Sequence, residues 1–261
     1  MEDHPEQLRQ RGFAWLRGEL LAEPEQALEA ASALVIKRSA LDDSAKLNLI
    51  GEFVLPPPDG DDSRDFQTLH FDFGLPLDPK VAHDVGRYTA LYIPGRLGPV
   101  SAVTRLVPLA GLLSQRRWPS QSELVARLTA YGRTHGAWND DLGYLEGSLA
   151  RVVDAVDGVP VLPSVKVDDE FLCGMEFESL DAELDFFVRH SLTVAAVEIE
   201  VPLSPGELLV FDNLALAHGR RGTRQPGELH QWVFGESQPG LVRQRELRDH
   251  VLAAFQHRCA R

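Results

Sequence analysis

VAAVEIEVPLSPGELLVFDNLALAHG, residues 194 to 219, is the stretch from which the fold can be read. Glu198–Val201 alternates apolar and acidic residues, and Glu207–Phe211 is a short apolar run; both are of strand length. Pro205-Gly206 stands between them and suits a tight turn. After Asp212-Asn213 comes LALAHG. On a strand, Leu214, Leu216 and His218 share one face, while Ala215, Ala217 and Gly219 share the other.

Further strand patterns lie at Phe66–Phe73, Arg87–Ile93, Val100–Val107, Val159–Val167 and Glu228–Phe234. Helical patterns frame and interrupt them. Leu8, Phe13, Leu16, Leu20 and Leu21 recur at helical spacing, and Gln26–Leu34 is rich in Ala, Glu and Leu. Ser120 and Glu123 form a capping box that opens SELVARLTAYGRTHG. Leu142–Val156, Leu180–Val188 and Gln244–Cys259 also predict helices. VLPPPDGDDSRD, residues 54 to 65, reads as a surface loop within one domain. The chain carries no GxGxxG and no GxxxxGK[ST], and its strands lie on both sides of a helical insert, which argues against a parallel βαβ array.

The predicted fold class is therefore mainly β with helical insertions, a jelly-roll core flanked by helices. One domain is expected over residues 1–261: a helical part over 1–50, a core over about 66–235 with a helical insert at about 115–157, and a closing helix at about 244–259.

Acidic residues outnumber basic ones 39 to 26, for a net charge of −13. That excess argues against a nucleic-acid partner, whose phosphates call for a basic face. The two cysteines, Cys173 and Cys259, make neither a disulfide framework nor a thiolate metal cage. The opening MEDHPEQLRQRG has no apolar signal core, and no apolar run reaches membrane length. A cytoplasmic location, no membrane partner and a small-molecule substrate are the expectations. The sequence does not speak to oligomeric state.

TLHFDFG, residues 68 to 74, sets His70 and Asp72 on one face of a strand, opposite Leu69, Phe71 and Phe73. A polar strand face is ordinarily a solvated one. The same spacing occurs at His4 and Glu6, in the polar N-terminus, so the dipeptide spacing alone means little. His218 on a distant strand changes the balance. Two imidazoles and one carboxylate on one side of a metal leave the opposite positions open, as in the facial triad of non-haem Fe(II) oxygenases.

HFD (His70–Asp72), followed much later by GELLVFDNLALAHGR (Gly206–Arg220), resembles the Fe(II)/2-oxoglutarate-dependent oxygenases of the taurine dioxygenase and clavaminate synthase type. The resemblance covers roughly Phe66 to Gly235 and is specific at its two ends. It implies a double-stranded β-helix core and makes His70, Asp72 and His218 the ligands of Fe(II). It also implies 2-oxoglutarate as co-substrate together with O₂, decarboxylation to succinate and CO₂, and oxidation of an unactivated C–H bond. Hydroxylation is the default outcome, with desaturation or cyclisation open. By analogy the substrate is an amino acid or related metabolite. Asp72 argues against a halogenase, in which a small residue takes the carboxylate's place.

The sequence departs from the family at one point. An arginine on the strand after the distal histidine ordinarily grips the distal carboxylate of 2-oxoglutarate. Here that strand reads GELHQWVFG, residues 227 to 235, and Trp232 stands at the expected position with Gln231 and Val233 beside it. Trp232 is either a packing residue or one that reshapes the co-substrate pocket. Arg105, Arg220 and Arg224 are the candidate replacements, and Ser101 or Thr104 could touch the co-substrate. Two other readings stay open: an iron oxygenase that does not use 2-oxoglutarate in the usual way, and a non-catalytic jelly-roll binding protein.

Overall fold

The computed structural model describes residues 3–17, 21–41, 47–55, 66–70, 82–95, 102–108, 111–112, 115, 180–189, 192–213, 215–222 and 228–239. In chain order these form α1 (His4–Arg11), β1 (Phe13–Leu16), α2 (Pro24–Leu41), β2 (Asn48–Leu55), β3 (Phe66–His70), β4 (Ala82–Tyr92) and β5 (Val103–Pro108). After them come α3 (Leu180–Arg189), β6 (Ile199–Val201), β7 (Leu208–Asp212), β8 (Leu216–Arg221) and β9 (Leu229–Pro239).

The strands make a five-stranded sheet of order β1-β7-β4-β9-β2 and a four-stranded sheet of order β3-β8-β5-β6. From β3 onward each described strand enters the sheet its predecessor did not, except β6, which stays beside β5. That succession is the connectivity of a jelly roll, so the predicted fold class holds. No described helix is long and apolar enough to cross a membrane.

Two of the sequence expectations are corrected. Phe13 and Leu16, read as part of a helix, form β1 instead, antiparallel to β7 with Phe13 opposite Phe211 and Leu16 opposite Leu208. Gly12 is the cause. It takes φ 78° and donates its N–H to the Leu8 carbonyl, which ends α1 in a left-handed cap. At the other end, Asp3 accepts the Glu6 N–H at 3.3 Å and Pro5 occupies the first turn. The second correction concerns residues 48 to 55, divided beforehand between a helical part and a loop. They form β2, which pairs with β9.

The turn at Pro205-Gly206 is present: Gly206 has φ 84° and Glu207 N–H reaches the Ser204 carbonyl at 3.0 Å. It joins strands of different sheets rather than a hairpin. The expected strand at Val159–Val167 lies outside the described residues, as do the helices at 122–136, 142–156 and 244–259.

The chain divides into two compact units. One comprises Met1–Gln67, Asp84–Arg105 and Glu200–Ser237. Its core lies where α1 and α2 cover one face of the five-stranded sheet. Leu8, Ala27, Ala31, Leu34 and Val35 pack there with Ala14, Leu16, Tyr88, Ala90, Tyr92, Leu208, Val210, Trp232 and Phe234. Ala27, Ala31, Leu34 and Val35 recur at i, i+4, i+7 and i+8, one stripe of α2. Leu209 and Phe211 are also buried, and strand alternation turns them to the opposite face of the sheet.

The other unit comprises Thr68–His83, Leu106–Ile199 and Gln238–Arg261. Its buried described residues include Leu69, Leu106, Val107, Leu112, Glu183, Phe187, Leu192 and Val194. Gln115 is bound at both ends of its amide, giving a hydrogen to the Thr193 carbonyl at 2.9 Å and accepting the Thr193 N–H at 2.8 Å.

Two tests follow from this packing. A Cβ at Gly12 would need a left-handed backbone and would lie 3.3 Å from the Leu216 side chain. Gly12→Ala should cost about 1–2 kcal/mol in urea unfolding. Burial pushes the phenols of Tyr88 and Tyr92 above the ordinary value of 10.0, with Asp212 adding to the effect at Tyr88. Their neutral forms stabilise the fold below that value, and the contribution is lost as pH rises through the folded pKa. Unfolding free energy should therefore decline above the ordinary tyrosine range, and less steeply in Tyr88→Phe.

Candidate metal centre

The site is best followed from the corner that delivers His218. β7 ends at Asp212, and β8 begins four residues later at Leu216. Asp212 Oδ1 accepts the Ala215 N–H at 3.3 Å, closing an Asx-type turn. Its Oδ2 lies 3.1 Å from the guanidinium of Arg87 on β4. Asp212 N–H reaches the Gly12 carbonyl at 2.7 Å, and Asn213 N–H the Arg87 carbonyl at 2.8 Å. Asn213 is wholly buried. The Asp-Asn pair is therefore a fastened reversal of the chain.

Beyond the corner, His218 is 6% exposed. Its ring centroid lies 4.8 Å from that of Phe211, at an interplanar angle of 51°. Phe211 occupies the sheet face turned away from α1 and α2, so His218 lies on that side of the sheet too. The imidazole thus lies buried against an aromatic ring. A neutral imidazole in such a setting suits a borderline metal such as Fe(II) or Zn(II).

Of the other expected ligands, His70 is the last residue of β3. Its side chain, and all of Asp72, lie outside the described residues. Among the described residues no group of three metal-ligating side chains comes together. Two imidazoles and a carboxylate remain a donor set whose chemistry fits Fe(II). The competing His-x-acid spacing, His4 and Glu6, lies on α1. There Glu6 is paired with Arg9, whose hydrogen bond holds the Glu6 carboxyl down to about 2.

The co-substrate candidates separate. Arg105 is 2% exposed and sits on β5, the neighbour of β8 in the sheet. Thr104, beside it, is half-buried. Arg220 gives a hydrogen from its guanidinium to the Gly222 carbonyl at 2.6 Å, tying it to its own loop. Arg221, which follows, pairs with Glu200 at the surface. Ser101 and Arg224 lie outside the described residues.

Trp232 packs in the core beneath the helices, where its ring stacks on Tyr92 with centroids 6.1 Å apart. Its Nε1–H reaches Glu52 at 3.2 Å. The side shared with Phe211 and His218 carries Gln231 and Val233 instead. Counting residues from His218 found the right strand, but a count does not report which face a residue occupies.

Two residues that the sequence reading did not single out stand near this chemistry. Phe211 is the ring that backs His218. Glu183, on α3, is fully buried and accepts the Leu69 N–H at 2.8 Å, one residue before His70. A usable signal for Glu183 existed: it shares a helix face with Phe187, four residues on. Removing the corner carboxylate by Asp212→Ala should cost about 1–3 kcal/mol in urea unfolding, because Arg87 loses an ion pair and the Ala215 N–H keeps only the Asp212 main-chain carbonyl as acceptor.

No family model matches the chain, and no curated protein matches it. Among solved structures, it is similar to PvcB, an Fe, alpha-ketoglutarate-dependent oxygenase from an isonitrile synthetic pathway, at 14% identity and TM-score 0.45 over 89% of this chain and 78% of that one. It is similar to an asparagine oxygenase solved with Fe(II), hydroxyasparagine and succinate, at 16% identity and TM-score 0.43 over 89% and 77%. It is also similar to the non-heme iron oxygenase OrfP with Fe, succinate and (3S)-hydroxy-L-Arg, at 16% identity and TM-score 0.42 over 91% and 82%.

Proposed function

We propose that the protein is a non-haem Fe(II) oxygenase that uses 2-oxoglutarate and O₂ to oxidise an unactivated C–H bond of a small molecule, an amino acid or related metabolite. The observation that carries this reading is His218, buried against Phe211 at the start of a strand that a fastened Asp-Asn corner delivers. His70 and Asp72 complete its ligand set. Iron with 2-oxoglutarate and O₂ supplies the oxidising power, and the protein's share is to bind, orient and exclude water.

Arg105 is the residue assigned to the distal carboxylate of 2-oxoglutarate. Its guanidinium is buried, and it stands on the strand beside the one that bears His218. A planar fork of donors meets a carboxylate in two parallel hydrogen bonds, which fixes the acid's direction as well as its place. Trp232 belongs to the helix-side core in this reading and leaves the co-substrate untouched.

Anaerobic addition of Fe(II) and 2-oxoglutarate should produce a weak visible charge-transfer band, and substrate turnover should release succinate. His218→Ala should abolish the band. Arg105→Gln should keep iron binding but raise the 2-oxoglutarate needed for the band about 10- to 100-fold, the loss of hydrogen bonds to a charged group. Absence of both band and succinate would sink the proposal. Product formed without added 2-oxoglutarate would point to a substrate that itself chelates iron.

A further inference from the structure

Helix α3 presents an unexpected side to the protein. Leu184 and Val188, one turn apart, are 50% and 72% exposed, while Glu183 and Phe187 are buried. A rotation of one residue would exchange Glu183 and Phe187 for the leucine and the valine. A carboxyl is costly to bury unless it meets a hydrogen-bond donor.

The Glu183 carboxylate accepts the Leu69 N–H at 2.8 Å, across 114 residues of sequence. Hydrogen bonds to an ionised acceptor are about twice as strong as neutral ones. Leu69 is wholly buried and belongs to β3, which stands at one end of its sheet among the described strands. The backbone N–H groups along a strand's open edge need partners from outside the ladder. Glu183 supplies one in the residue next to His70.

We propose that Glu183 is a positioning residue for the metal-binding strand: by gripping the backbone at Leu69 it fixes the course of β3 into His70, its last residue. This rests on the iron reading above. Groups that orient ligands without touching the metal commonly change affinity about 10- to 100-fold when removed.

The test compares the parent with Glu183→Ala, Glu183→Gln and Glu183→Asp. It measures anaerobic Co(II) affinity and visible spectrum, amide exchange at Leu69, and urea unfolding. In Glu183→Ala, Leu69 exchange should quicken and Co(II) should bind about 10- to 100-fold more weakly, with an altered spectrum. Glu183→Gln keeps an oxygen acceptor and should restore most of the affinity. Glu183→Asp keeps the charge but draws the acceptor back by one methylene, and should bind weakly. Should Glu183→Ala fail to fold, the Gln and Asp variants decide the matter.

Lower stability with parental Co(II) affinity and spectrum in Glu183→Ala would overturn the proposal. Glu183→Asp binding as the parent does, or Glu183→Gln binding as poorly as Glu183→Ala, would also overturn it. A parent that binds no Co(II) would bring down the iron reading itself. That failure is distinguishable, because Leu69 exchange still reports whether the carboxylate holds the strand.

Discussion

Asp212 joins three pieces of chain that are far apart in sequence. One oxygen closes the turn into β8, and the other meets Arg87 on β4. The backbone of the same residue reaches the end of α1 through Gly12. A strand that slips by one residue turns every side chain to the opposite face. Fixing this corner therefore fixes the face on which His218 appears, three residues into β8. Phe211, one residue before the corner, provides the wall against which the imidazole rests.

Acidic side chains do similar work elsewhere. Glu207 Oε2 accepts both the Trp15 indole N–H at 3.0 Å and the Ser204 N–H at 3.1 Å, so it fastens β1 to the Pro205-Gly206 turn. Asp3 caps α1, and Glu183 holds Leu69. A net charge of −13 reads from composition as a solvated surface, yet part of that acidity is used inside, as acceptors for backbone and indole N–H groups. A buried carboxylate is tolerable where it meets such donors, and it then specifies one arrangement over its neighbours.

The fold was legible where local pattern and tertiary role agreed. β7 and the Pro-Gly turn follow from an apolar run of strand length and from turn chemistry. The region of α2 follows from its Ala, Glu and Leu content. β1 was misread because Phe13 and Leu16 continue a helical spacing from Leu8; one glycine between them outweighs that spacing, and its left-handed φ is not visible in hydrophobicity. Trp232 fell on the expected strand but on its other face, since a residue count fixes position along a strand and not its parity. Glu183 was overlooked because the group it meets, a backbone N–H on β3, lies 114 residues away in sequence.

β1 pairs residue 13 with residue 211, so the first strand of the chain finds its place only beside one of the last. Bringing such distant segments together carries a loop-closure entropy that no local propensity offsets, and folds rich in such pairings form slowly. On a ribosome, α1 and β1 emerge long before β7 exists to receive them. Until it does, the apolar face of Ala14 and Leu16 has no sheet to join. The order of synthesis thus leaves this segment without its partner strand while the residues between the two are made.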